Sequence, residues 1–263
     1  MKALNQEEIT MLCYSYKLHG SLRAVSRLRV RSVATVKKYV SKYMEVKTQN
    51  IVKKLATRDE RLIGLYVGLW LGDGTQYKDK GRCVIKICCN RKNRILNTFI
   101  QEVIFRTFEK KTALIEEKSN NGAFVKFVSK FIFNFIYKYT KQDLGKKTYS
   151  VRLKKEINQY RDDFLEGCLL GLVLSDGYLK DFFSFNVTSK DLSHNMFNIL
   201  KKYGFKPSVY VHKRAKWGWK DLNMVKLNKK ESWKLEMLLG GILRKLSYNY
   251  RFRELKYGGP GQI

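Results

Sequence analysis

Apolar residues along this chain keep two periods. In some segments they return every three to four residues, as on one face of a helix; in others they alternate with polar residues, as on a strand. QEEITMLCYSYKLHG reads as a helix that stops at Gly20. Ser21 and Ser32 stand where N-caps would open two more helices, LRAVSRLR and VATVKKYVSKY. Leu22, Val25, Leu28, Val33, Val36 and Val40 recur along them at helical spacing. Residues 44–56 read as a linker or a linking helix.

From residue 57 one plan is run through twice. Thr57 and Glu60 form a T-x-x-E capping box ahead of the apolar helix RLIGLYVGLWLGD. Two strand-like runs follow, ending in RCVIKICC, and then the helix NRILNTFIQEVIFRTF. TALIEEK and AFVKFVS make a hairpin turning at Asn120-Asn121-Gly122, and KFIFNFIYKYT closes the half. The second pass opens with an apolar helix at about 161–175. It continues through strands ending in FFSFNVTS, helix DLSHNMFNILKKYG, strands SVYVHKRAKW and LNMVKLN, and helix ESWKLEMLLGGILRK. The predicted fold class is α+β: two pseudo-symmetric αββαββα halves behind a small helical N-terminal segment. The predicted boundaries are 1–50, 51–157 and 158–263.

The two apolar helices carry the same marks. Gly64, Gly68, Gly72, Asp73 and Gly74 return 103 positions later as Gly167, Gly171, Ser175, Asp176 and Gly177. Small residues at i, i+4 and i+8 form one stripe that lets another backbone come close. Glycine inside a helix costs about 1 kcal/mol relative to alanine, so the stripe needs a purpose. The two helices are predicted to pack on each other, Gly64 and Gly68 against Gly167 and Gly171. If they run parallel, Asp73 and Asp176 arrive at one spot. An acid at a helix C-terminus opposes the macrodipole, and two acids together repel. A divalent cation resolves both problems, and paired carboxylates at a metal suit phosphodiester hydrolysis. Magnesium takes only one or two protein carboxylates, so a sparse site is expected.

Charge sharpens this picture. Lysine and arginine outnumber acids 53 to 23, a formal net charge of +30 in 263 residues, which points to a polyanion partner. The strand patterns give that charge a surface. Arg82 and Lys86 lie opposite Cys83, Ile85 and Ile87; Ser184, Asn186 and Thr188 lie opposite Phe183, Phe185 and Val187. Tyr210, His212, Arg214, Lys216 and Lys220 share one face, and Lys126, Met224 and Lys226 alternate with apolar neighbours. Each sheet thus gains one packed face and one basic, hydrogen-bonding face of the kind that fits a major groove. The five cysteines show no paired CxxC spacing, and with three histidines they argue against zinc and for a reducing, intracellular compartment. The apolar run 62–71 is too short to cross a bilayer, so no membrane role is expected.

YVGLWLGDG (66–74) and LLGLVLSDG (169–177) resemble the two signature motifs of the LAGLIDADG homing endonucleases in their single-chain form, over about residues 57–257. The resemblance implies that the motif helices form the central interface of a monomer, with two antiparallel sheets as a saddle on duplex DNA. It implies that Asp73 and Asp176 are the essential metal-binding acids, with Gly72 and Ser175 beside them in the metal site. Mg²⁺ is the implied cofactor, with Mn²⁺ or Ca²⁺ able to take the same sites. It further implies a basic residue after the last helix of each half, here Lys147 (Lys146 as alternative) and Lys245, balancing charge on the scissile phosphate. A polar residue after the second strand, Asn90 and Ser189, would position water. Both strands of a long target would be cut, leaving short 3′ overhangs. Leu71 and Leu174 replace an earlier acid of the consensus, and Gly72 and Ser175 its alanine. The segment GSLRAVSRLRVRSVATVKKYV resembles a helix-turn-helix, with Ala24 at the helix crossing and Arg29 where glycine is common; a helical hairpin with a solvated basic face is the other reading. Two further functions stay open on this scaffold: a maturase acting on intron RNA, and a non-cleaving DNA-binding regulator. Retention of both acids favours cleavage.

Overall fold

The computed structural model describes residues 4–19, 22–41, 58–117, 122–142, 147–214, 216 and 218–258. The chain forms two compact units, Met1–Thr57 and Arg58–Ile263.

The first unit holds α1 (Gln6–His19), α2 (Leu22–Leu28) and α3 (33–41). Leu12, Val25, Val36 and Val40 make its core, with Tyr16, Leu22 and Tyr39 packed around them. Ser32 opens α3 as expected, its Oγ accepting the Thr35 N–H at 3.1 Å. Leu28 and Val33 stay exposed, because three short helices have room for only one apolar stripe each. The left-handed residue of the α2–α3 turn is Val30, with φ 48°, rather than Arg29, whose guanidinium donates to Ser15 Oγ at 3.0 Å. Gly20, Ser21 and the stretch 44–56 lie outside the described residues.

The second unit begins with α4 (Glu60–Asp73). Its N-cap is Asp59, whose carboxylate accepts the Arg61 N–H at 2.8 Å; Thr57, the expected cap, lies outside the described residues. Then come β1 (Gly74–Asp79), β2 (Arg82–Asn90), α5 (Arg94–Phe108), β3 (Ala113–Glu116), β4 (Gly122–Val128) and α6 (Lys130–Phe135). A short ladder of β5 (Thr140–Lys141) and β6 (Arg152–Leu153), with α7 (Lys147–Ser150) between, leads to α8 (Asp162–Ser175). The second half repeats the order as β7 (Gly177–Leu179), β8 (Phe183–Val187), α9 (Lys190–Lys202), β9 (Ser208–His212), β10 (Leu222–Lys226) and α10 (Lys229–Lys245), and ends in α11 (Phe252–Tyr257).

The sheets are β1-β2-β4-β3 and β7-β8-β10-β9, antiparallel throughout and identical in order. Their inner faces bury Ile85, Ile87 and Val125 in one half and Phe183, Phe185 and Val225 in the other. Both central helices are buried from Leu62 to Leu71 and from Phe164 to Leu174, with Tyr66 and Trp70 wholly covered. The predicted α+β plan of two pseudo-symmetric halves therefore holds.

One strand is shorter than its pattern predicts. The run SVYVHKRAKW stays in the sheet only to His212, and Arg214 turns into a loop where it donates to the Lys220 carbonyl at 2.9 Å. Val209 and Val211 remain about half exposed, because β9 is an edge strand paired with β10 alone. Among the described residues, no helix is long and apolar enough to cross a membrane.

Candidate metal and DNA site

The glycine stripes place the two central helices in backbone contact. A Cβ on Gly64 would fall on the Phe164 carbonyl oxygen, and one on Gly167 on that of Arg61. A Cβ on Gly171 would sit 2.5 Å from the Leu65 carbonyl oxygen and 2.6 Å from the Leu69 nitrogen; Gly68 faces Cys168 and Gly171, and Gly72 faces Ser175. These pairs advance together along both helices, so α4 and α8 run parallel. Their C-terminal ends therefore meet. A Cβ on Gly72, the neighbour of Asp73, would lie 2.9 Å from Asp176 Oδ2. Asp73 and Asp176 thus share the foot of the helix pair.

The opposite end is tied by charge. Glu166 is buried on α8, accepting from Arg61 Nε at 2.6 Å and Lys245 Nζ at 2.7 Å. Burial alone would raise its pKa, but hydrogen bonds and attraction from Lys245 and Arg61 outweigh it and hold the carboxyl below its ordinary value. Lys245 is therefore not at the acids. It pairs with a residue ten positions before Asp176, about 15 Å back along the helix, because α10 packs on the N-terminal part of α8.

Among the described residues, Lys256 on the short helix α11 feels both acids. Its Nζ donates to the Leu174 and Ser175 carbonyl oxygens at 2.8 and 2.9 Å, two of the C-terminal acceptors that α8 cannot satisfy itself. Burial pushes its pKa down to about 8, while Asp73 and Asp176 pull it the other way. The sequence signal for α11 is slight: Phe252 and Leu255 are apolar three residues apart and both are buried. In the first half, the side chains of Lys146 and Lys147 lie outside the described residues. The backbone of α7 packs on α9, and Val151, just after it, borders the Asp176 cleft.

Two clefts open at the foot of the helices. One, of about 690 Å³, is bordered by Gly72, Asp73, Asp176, Cys88, Asn186 and Thr188. The other, of about 740 Å³, is bordered by Asp73, Cys88, Asn90, Ser175 and Lys256. Asn90 reaches its cleft, with its amide oxygen held by the Lys92 N–H at 2.9 Å. Ser189 borders the Asp176 cleft and is the buried N-cap of α9, accepting the Leu192 N–H at 3.1 Å and donating to the Val151 carbonyl at 2.8 Å.

The donor set suits a hard cation. Among the described residues, no group of three His, Cys, Asp or Glu converges. Two carboxylates at helix ends form a sparse oxygen site of the kind magnesium occupies while keeping several waters. Ser175 is engaged on its own helix and by Lys256. Its hydroxyl donates back to Gly171 and Leu172, and its carbonyl already accepts from Lys256.

The outer sheet faces continue from these clefts. Lys86 lies 4.2 Å over the Phe124 ring and 5.4 Å over Tyr77, and Lys226 lies 5.4 Å over Tyr210 and 5.7 Å over Phe182. Such contacts order a cation before any ligand arrives. Arg82, Tyr210, His212 and Lys216 are exposed, and Lys126 is half-buried on the same side of its sheet as Lys86. Ser184 is buried and donates to Asn186 Oδ1 at 2.8 Å, so it positions Asn186 rather than meeting a ligand. Arg214 sits in the β9–β10 loop instead of on the strand.

No protein-family model matches the chain, and no curated protein sequence is significantly similar to it. Solved structures do match. One is the homing endonuclease I-DmoI in complex with DNA and Mn, with TM-score 0.52 and 14% identity, covering 68% of this chain and 96% of that one. I-DmoI in complex with DNA and Ca gives TM-score 0.52 and 14% identity over 70% of this chain and 91% of that one. The fold is that of the LAGLIDADG homing endonucleases.

Proposed function

We propose that this protein is a divalent-metal-dependent, site-specific DNA endonuclease that hydrolyses both strands of a long target and leaves short 3′ overhangs. The observation that carries the reading is the convergence of Asp73 and Asp176 at the foot of two parallel helices, between two sheets that each present an ordered lysine. The I-DmoI structures hold DNA together with Mn or Ca on the same fold, which supports both partner and cofactor class. Mg²⁺ is the expected ion, held by Asp73 and Asp176 with Gly72 and Ser175 beside them. When bound, it supplies Lewis-acid stabilisation of the phosphate and a more acidic water.

The chain's own residues do the rest. The backbone contact of α4 and α8 fixes the spacing of the two acids. The outer sheet faces hold the duplex through phosphate and base contacts. Lys256 holds positive charge beside the acids and anchors the end of α8. The protein acts as a monomer, because both acids come from one chain. The first unit adds DNA contacts through α3, whose Ala34, Lys37 and Lys38 are exposed on one side while Val36 and Val40 face the core.

The test is cleavage of DNA carrying the uninterrupted insertion site of the host gene, with Mg²⁺ or EDTA. Asp73→Asn and Asp176→Asn are each expected to abolish double-strand cleavage while retaining DNA binding. Full cutting by both variants would sink the mechanism. Binding without cutting by the unmodified protein would instead identify a regulator, and preference for intron RNA a maturase.

A further inference from the structure

Strand register makes the two outer sheet faces comparable residue by residue. Gly74 pairs with Ile87 and Gly177 with Phe185, so Ile87 and Phe185 are equivalent, and with them Cys88 and Asn186. Lys86 pairs with Lys126, and Ser184 with Lys226, which makes Lys126 and Lys226 equivalent on the third strand of each sheet. One row nearer the acids, Cys88 stands beside Phe124 and Ile115, and Asn186 beside Met224 and Tyr210.

The lysine row carries an unfavourable pairing that the rings beneath Lys86 offset only in part. Lys86 and Lys126 are directly opposite on one face, and like charges in that position are destabilising. A ligand rich in acceptors removes the penalty. Guanine offers O6 and N7 together in the major groove, and lysine is among its common partners. Lys226 occupies the matching place in the other half, held between Phe182 and Tyr210. The inner row differs between the halves. Cys88, Phe124 and Ile115 suit contact with a thymine methyl group. Asn186, its amide oriented by Ser184, suits adenine.

We propose that the target is a broken palindrome: guanine at two positions equidistant from its centre, read by Lys126 with Lys86 on one side and by Lys226 on the other. At the inner pair the half-sites diverge, with thymine against the Cys88–Phe124–Ile115 row and adenine against Asn186. Rows two residues apart stand about 6.7 Å apart along a strand, which is the rise of about two base pairs. The guanines therefore lie about two base pairs outside the inner positions. This inference rests on the DNA-binding part of the proposed function and is independent of cleavage.

The test is selection by binding from a pool of duplexes randomised at each position. Binding rather than cutting is the readout, so a protein that binds without cleaving still gives a profile. The unmodified protein is expected to select the two guanines symmetrically about the centre. Removing Lys86 and Lys126 together (Lys86→Ala with Lys126→Ala) should erase one preference and Lys226→Ala the other, each reducing discrimination by roughly 5- to 150-fold at its own position only. Asn186→Ala should erase the adenine preference alone. Three results would overturn the proposal: guanines that are not equidistant, no sequence preference in the unmodified protein, or lysine variants that weaken all sequences equally and lower the salt dependence by about one ion, as phosphate contacts would. Thermal melting of each variant confirms that its fold is kept.

Discussion

Substituting Gly171 by alanine tests the helix interface at its centre. The new Cβ would stand 2.5 Å from the Leu65 carbonyl oxygen, 2.6 Å from the Leu69 nitrogen and 2.9 Å from the Gly68 carbonyl carbon. All three are backbone atoms of α4, so no rotamer change relieves them. The helices must part by about 1 Å to restore ordinary contact. Overpacking of this kind costs about 1–3 kcal/mol, and more when backbone must move. Alanine's better helix propensity returns about 1 kcal/mol at most. The expected net loss of about 1–2 kcal/mol lowers the melting temperature by roughly 2–8 °C. Gly240→Ala is the control. It is also a helix-interior glycine, but its Cβ would meet nothing closer than an Arg244 guanidinium nitrogen at 3.7 Å. That variant should be stabilised by up to about 1 kcal/mol. Because the glycine contacts set the spacing of Asp73 and Asp176, Gly171→Ala should also lose cleavage at temperatures where it remains folded, whereas Gly240→Ala should not. Equal or raised stability in Gly171→Ala, measured by calorimetry beside the control, would refute the backbone-contact argument.

Other outcomes follow from the same structure. Lys256→Met keeps the aliphatic stem and removes the charge beside two acids, so Mn²⁺ should bind roughly tenfold more tightly by calorimetry while cleavage slows; weaker metal binding would contradict the placement. Glu166 has a folded pKa below its ordinary value, so its stabilisation is complete above the ordinary value and is lost as pH falls through the lower folded one. Glu166→Gln should therefore destabilise at neutral pH by about 1 kcal/mol and flatten the melting profile below about pH 4, as followed by circular dichroism. Val30 holds φ 48° in the turn before α3, a costly conformation for a β-branched side chain. Val30→Gly should slow amide exchange in the first unit by the equivalent of up to about 1 kcal/mol.

The central pair of helices was legible because its signal repeats. One glycine stripe ending in an acid has many explanations, but two, 103 residues apart and followed by the same strand and helix order, restrict the packing. The strand faces were legible wherever a strand lies on the core, as in β2 and β8, since burial of one face enforces alternation. The pattern misled at the edge. SVYVHKRAKW alternates beyond His212, but beyond it no partner strand holds the chain, and Asp221 captures the Arg214 N–H at 3.2 Å instead. The supporting shell was hardest to read. Lys245 and Lys256 both follow apolar turns, and only the three-dimensional path of α10 shows that the first returns to Glu166 while the second meets the end of α8. Ser189 caps α9 through a local bond from the Leu192 N–H, whereas its donation to the Val151 carbonyl depends on the tertiary path and is invisible in the sequence.

The least favourable features of this fold for stability fall in one place. Glycines at helix interiors, two acids at helix C-termini and a lysine with a lowered pKa each oppose a local rule. Elsewhere the unit follows the rules: asparagine or serine caps α5, α9 and α10, and the buried sheet faces are uniformly apolar except at a few bonded polar groups. A sequence that spends interior glycines along one helix pair and places two acids at its foot is organised around that interface and what its foot binds. In the free protein, negative charge from Asp73, Asp176 and the carbonyls of α8 is partly balanced by Lys256. A divalent cation would balance it better, and a scissile phosphate beside that cation would then restore a use for the lysine's charge. The arrangement is stable enough without its ligands and most favourable with both, which is the condition a metal-dependent nuclease has to meet.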